Sequence, residues 1–158
     1  MPDRLLLDTM CGKLATYLRM CGYDAAYALD AGEGESLDSD RAPSDDDLLA
    51  RAETEGRRIV TRDRQLADRA GDAVLLKSRD VTGQLRELAD AGFDLALPDE
   101  PSRCGNCNGR VEAVDPTEPT PEYAPDSAET DVWCCVDCGQ HFWKGSHWDD
   151  VAETLVGL

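Results

Sequence analysis

The chain has 158 residues and a formal net charge of −17, and only Lys13, Lys77 and Lys144 among its 16 basic residues are lysines. No apolar run approaches the eighteen or so residues of a membrane span, and the length allows a domain of about 100 residues plus a small module that needs a staple. The acidic, arginine-for-lysine balance is that of halophilic proteins working in molar salt, where a Debye length of about 3 Å screens self-repulsion. At ordinary salt this charge argues against a nucleic-acid partner; in molar salt it argues neither way.

Arg4-Leu5-Leu6-Leu7-Asp8 reads as a buried strand closed by a carboxylate. Leu14, Tyr17, Leu18 and Cys21 then recur at helical spacing, with Gly22 as the stop. Asp24 to Leu29 is a weaker strand, and Ala31 to Ser44, including the acidic run Gly32 to Asp40, is a loop. Ser44 or Asp45 caps a helix that runs to about Glu55, ended by Gly56. Arg58-Ile59-Val60-Thr61 is the next strand and leads into Arg62-Asp63. A short helix through Leu66, a strand over Ala73 to Leu76 and a helix over Val81 to Ala91 complete the alternation. That order predicts a parallel sheet with helices on both sides and a ligand site beyond the carboxyl ends of its strands.

Leu97-Pro98-Asp99-Glu100-Pro101 marks a boundary between residues 1–100 and a module over 101–158. Within the module lie Cys104-Gly105-Asn106-Cys107 and Cys135-Val136-Asp137-Cys138. Two cysteine pairs with two-residue spacers make a tetrahedral sulfur shell with no open position, which is the pattern of structural zinc. Paired thiols without a signal peptide point to a reducing, cytoplasmic setting. Cys11 and Cys21 read as buried inert thiols, and Cys134 reads as a bystander to Cys135. Asp115 to Asp131 is too polar to form a core and reads as the exposed loop of a zinc ribbon. Val151 to Val156 reads as a terminal helix or strand that docks on the first domain.

Asp8 and Asp63 close buried strands, which is costly for a charge without a purpose. With Asp45 they form a set of oxygen donors suited to Mg²⁺ or Mn²⁺. A helix cap would explain Asp45 equally well. Asp46 and Asp47 read as a solvated first turn, and Asp68 or Asp80 could add a fourth carboxylate. Lys13 and Arg62 are the phosphate-contact candidates, whereas Arg57 and Arg69 read as ion-paired. His147 reads as packed in a small aromatic core with Trp133, Phe142, Trp143 and Trp148.

Several motifs occur in a family's order. They are Leu7-Asp8, Lys13-Leu14-Ala15, Leu18-Arg19, Gly22-Tyr23-Asp24, Asp45-x-x-Leu48-Leu49 and Arg58 to Asp63. Ser102-Arg103-Cys104-x-x-Cys107-Asn108, the second cysteine pair and Phe142-Trp143-x-Gly145-Ser146-His147-Trp148 follow. Over nearly its whole length the chain resembles the Mut-seven C-terminal RNase domain family. The resemblance implies a PIN-like three-layer α/β/α domain with a central parallel sheet, followed by a C-terminal zinc ribbon. It also implies a metal-dependent ribonuclease, with Asp8, Asp45 and Asp63 as metal-binding acids and RNA as partner. The competing expectation is a non-catalytic RNA- or protein-binding module; a phosphatase or phosphoacceptor ranks third.

Overall fold

The computed structural model describes residues 4–29 and 43–158. Most of the loop expected over Ala31 to Ser44, with its acidic run, therefore lies outside the described residues. Seven strands and five α-helices are assigned among them: β1 (Leu5–Leu7), α1 (Gly12–Met20), β2 (Ala25–Tyr27), α2 (Asp45–Glu55), β3 (Arg58–Thr61), α3 (Arg64–Ala70), β4 (Val74–Leu75), α4 (Val81–Asp90), β5 (Val111–Ala113), β6 (Trp133–Cys135), β7 (His141–Phe142) and α5 (Ser146–Val156). A 3-10 turn, Thr9–Cys11, leads from β1 into α1.

The first four strands form one parallel sheet in the order β2-β1-β3-β4. Side chains of a strand alternate between faces, so Leu5 and Leu7 enter one core and Leu6 the other. The first core receives Leu14 and Leu18 of α1, Leu85 and Leu88 of α4, and Val151 and Leu155 of α5. The second receives Leu48 and Ala52 of α2 and Leu66 of α3. The result is the expected α/β body, a parallel sheet covered by helices on both faces. Each fully buried leucine contributes roughly 1.5–3 kcal/mol by leaving water.

Helix ends follow local chemistry. Ser44, not Asp45, caps α2: its hydroxyl accepts from Asp47 N at 3.2 Å, and the Asp47 carboxylate accepts from Ser44 N at 3.0 Å. This reciprocal pair satisfies two of the helix's free donors. Asp45 becomes the first helical residue, and the capping explanation for it falls away.

The remaining strands make a three-stranded antiparallel sheet, β5-β6-β7, beside the four paired cysteines. The segment Asp115–Asp131 is more organised than its composition suggests. Ser127 is buried and donates to Glu118 O at 2.8 Å, and Tyr123 lies edge-on to His141 and near Trp143.

One polar joint fastens this ribbon to the body. The Asn108 Oδ1 accepts from Ala25 N at 2.9 Å, and its Nδ2 donates to Asp24 Oδ1 at 2.7 Å. Arg57 Nη1 reaches the same Asp24 oxygen at 2.7 Å, and Arg4 and Arg103 approach the other. Arg19, buried on α1, donates to Ala25 O at 2.8 Å and to Gly105 O at 3.1 Å. Burial alone would raise the Asp24 pKa, but hydrogen bonds from Arg57 and Asn108, with the charges of Arg57 and Arg103, hold it at about 2. Because this lies below the unfolded value, the stability it confers is complete above about pH 4 and drains away as pH falls through about 2. Asp24→Asn is therefore expected to cost about 2 kcal/mol near neutral pH. Denaturant melts of the two proteins will differ at pH 7 and converge toward pH 2.

Candidate active site and metal centre

The sheet order changes direction at β1 and β3: β2 lies on one side of the pair and β4 on the other, with α1 and α2 on opposite faces. Such a switch point opens a crevice at the carboxyl ends of the strands. Asp8 follows β1 there, and Thr61-Arg62-Asp63 ends β3 there.

Asp8 is 7 % exposed. Its Oδ1 accepts from Thr9 N at 2.7 Å, which caps the 3-10 turn. Its Oδ2 accepts from the Thr61 hydroxyl at 2.7 Å, and that hydroxyl oxygen accepts from Asp63 N at 2.9 Å. One buried threonine thus fixes both acids across neighbouring strands. Asp63 caps α3 through Oδ1, which accepts from Gln65 N at 2.9 Å. Its Oδ2 makes no hydrogen bond among the described residues. In the sequence Thr61 stands only as the last residue of a strand that leads into Arg62-Asp63, with no task of its own. The available signal was a hydroxyl at the last, buried position of a strand next to a strand ending in Asp8.

Arg62 lies between these residues in sequence, and its Nε is buried without a hydrogen-bond partner among the described residues. A buried donor of this kind calls for an acceptor that the described residues do not supply. Cys11 is buried beside this edge. Burial, then the Asp8 charge, push its pKa up to about 11 against the opposing influence of Arg62, so it is an inert thiol. Burial does the same for Cys21, pushed to about 11. Lys13 is exposed in the first turn of α1.

Asp45 stands half-buried at the start of α2. Among the described residues, the only group of three or more candidate ligands with atoms within 4.8 Å of one another is the four cysteines; Asp8, Asp45 and Asp63 are not gathered in this way. Asp80 caps α4, accepting from Gly83 N at 2.9 Å, a sufficient local role. Arg57 and Arg69 are ion-paired, with Asp24 and Glu55 and with Asp46 respectively, as expected.

The cysteine centre is closed. Sγ of Cys104 lies 3.6 Å from that of Cys138, and Sγ of Cys107 lies 3.5 Å from that of Cys135. A tetrahedral zinc–thiolate shell with bonds of about 2.3 Å places sulfurs about 3.8 Å apart, so the four thiols fit that ion. Backbone N–H groups of Asp137 and Cys138 each lie 3.4 Å from Cys135 Sγ, the outer support that such a centre requires. Burial pushes the Cys104 and Cys107 thiols up. At Cys138 burial is overcome by the backbone N–H of Gln140 and the neighbouring thiols, which bring it down to about 7. Gly109 is required for space: a Cβ there would lie 2.9 Å from Cys135 Sγ. Cys134 stays outside the set.

A family model described as the Mut7-C RNAse domain matches residues 3–155. The chain belongs to that family. No curated protein and no solved structure matches it. Membership in a Mut7-C RNAse domain family connects the chain to RNA-related chemistry, and none of the described helices is long and apolar enough to cross a membrane.

Among the Mut7-C motif residues, the structure separates two groups. Leu7-Asp8 and Thr61-Arg62-Asp63 meet at the sheet edge. Arg19, Asp24 and Asn108 build the joint to the ribbon instead. Asn108 adopts φ 70° directly after Cys107, a left-handed conformation for which asparagine is suited. Its structural task was not legible beforehand, although an asparagine immediately after a cysteine pair is a signal for such a turn.

The aromatic tail differs from expectation. Trp133 is buried, but His147 is exposed and Phe142, Trp143 and Trp148 are only half-buried. They line an open cleft and do not form a closed core. The apolar staple of this half of the chain is α5, whose Val151 and Leu155 are buried against the α/β body.

Proposed function

We propose that this Mut7-C RNAse domain is a metal-dependent ribonuclease that hydrolyses phosphodiester bonds of single-stranded RNA at the carboxyl edge of β1 and β3. The observation that carries this reading is the Asp8–Thr61–Asp63 relay, which fixes two acids at the switch point of the sheet. Asp8 Oδ2 accepts a single hydrogen bond and Asp63 Oδ2 is uncommitted among the described residues, so the acids retain capacity for a hard cation; Asp45 is the third donor. Mg²⁺ or Mn²⁺ bound there would acidify an attacking water and neutralise charge on the leaving oxygen.

The chain's own part is positioning. The Arg62 Nε offers its unused hydrogen bond to a phosphate oxygen, and Lys13 adds a mobile positive charge at the start of α1. The four cysteines hold a structural zinc, which sets the ribbon beside the sheet as a docking surface. Thiolate zinc of this kind belongs in a reducing compartment such as the cytoplasm.

That Asp8, Asp45 and Asp63 do not bring their ligand atoms within 4.8 Å of one another favours a second reading, a non-catalytic RNA- or protein-binding module. Titration calorimetry with Mn²⁺ in molar salt, paired with a cleavage assay on unstructured RNA, separates the two. A nuclease binds Mn²⁺ at sub-millimolar to millimolar concentrations and cleaves only in its presence. No heat and no cleavage leave the module.

A further inference from the structure

A cleft of about 380 Å³ runs between the flank of α1 and the ribbon, within the size range of small-ligand sites. Its aromatic wall is Phe142, Trp143 and Trp148, with the exposed His147 at the rim. Gly145 lets the Trp143 indole lie against the backbone: a Cβ there would meet its Nε1 at 2.6 Å. Tyr123 extends the platform, its ring centroid 6.3 Å from that of Trp143. The Lys144 ammonium stands 5.7 Å from the Trp148 centroid. The lining also includes groups that donate and accept hydrogen bonds, Asn106, Gln140 and Thr16, while Met20 supplies apolar surface.

We propose that this cleft stacks bases of single-stranded RNA, which reach the aspartate edge along the Lys13–Thr16–Met20 face of α1. The proposal rests on the nuclease reading and supplies its substrate path. Flat rings with amides at their margin match an unpaired base, which offers a π-face and a polar edge. Lys13, Thr16 and Met20 recur at three- and four-residue spacing and so share one helix face. That face joins the two sites, with Lys13 near the Asp8 edge and Thr16 and Met20 in the cleft, about 5 Å and about 10 Å further along the helix. The net charge of −17 opposes phosphate binding at a distance. Recognition through ring stacking survives both that charge and the salt that screens it.

The test uses a fluorescein-labelled single-stranded RNA of about twelve nucleotides, with no added divalent cation, and an abasic ribose-phosphate strand of equal length. The wild type binds the RNA at least about 10-fold more tightly than the abasic strand, and its affinity changes less than about 10-fold between roughly 0.5 M and 2 M KCl. Trp143→Leu, which keeps apolar bulk, weakens binding about 10-fold or more, whereas Trp143→Phe retains most of it. Zinc content and thermal melts of both variants confirm the fold. Equal binding of the abasic strand, an unaffected Trp143→Leu, or no response to any RNA (as a peptide-binding cleft would give) overturns the proposal. Base-dependent binding without Mn²⁺-dependent cleavage would instead remove the nuclease reading and leave the base site standing.

Discussion

Loss of the metal from the four-cysteine centre, by Cys135→Ser or by a strong chelator, is expected to dismantle the ribbon and lower stability by several kcal/mol. The strands of this module are only two or three residues long, and Cys104, Trp133 and Cys135 are among its few fully enclosed side chains. So little apolar area does not offset the entropy of ordering the segment, and a metal held by the four cysteines would supply the difference. Damage will spread, because Asn108 adjoins Cys107 and holds both Asp24 and the backbone of β2. The measurements are elemental analysis, with one zinc per chain before treatment, and a thermal melt followed by tryptophan fluorescence. An unchanged melt after complete zinc removal would show that the sulfur cluster does not staple the fold.

The second large effect concerns the sheet edge. Asp63→Asn removes one anionic donor but keeps the cap of α3, since asparagine caps helices about as well as aspartate. Stability is expected to stay within about 0.5 kcal/mol while Mn²⁺-dependent cleavage falls at least about 100-fold. Thr61→Val makes the contrast. It deletes the hydroxyl between Asp8 and Asp63, leaving a buried carboxylate oxygen without its donor, at about 1–3 kcal/mol. That variant loses both stability and activity, and both variants retain zinc. Undiminished cleavage by Asp63→Asn would refute the site.

Much of this architecture was written in local patterns. Leu5 to Leu7 and Ile59-Val60 are apolar runs too short for helices, and each ends in a polar residue at one sheet edge. Periodic leucines gave α1, α2 and α4, and glycines at 22 and 56 ended two of them where expected. The cysteine spacing located the sulfur centre because the geometry of a two-residue turn is local. Contacts between distant segments were hidden. Nothing local in Asp24 announces that three arginines and an asparagine converge on it, and an aspartate before a strand looks like any other in so acidic a chain. The same holds for Thr61, whose hydroxyl matters only because β1 and β3 are neighbours. The aromatic tail was misjudged for a related reason: ring composition reports apolar area, but only tertiary placement shows whether it lines a wall or fills an interior.

The docking of α5 has a topological consequence. Val151 and Leu155 complete a core begun by Leu5 and Leu14, so the ribbon is an excursion between two parts of one hydrophobic nucleus. The intervening stretch, from Phe93 to the start of α5, spans roughly 50 residues, and closing so long a tether is entropically unfavourable in proportion to the logarithm of its length. Cross-linking its middle through four sulfurs shortens the effective tether. An ion held there would therefore do more than shape its own module: it would ease the return of the helix over the sheet and tie maturation of the α/β body to metal supply.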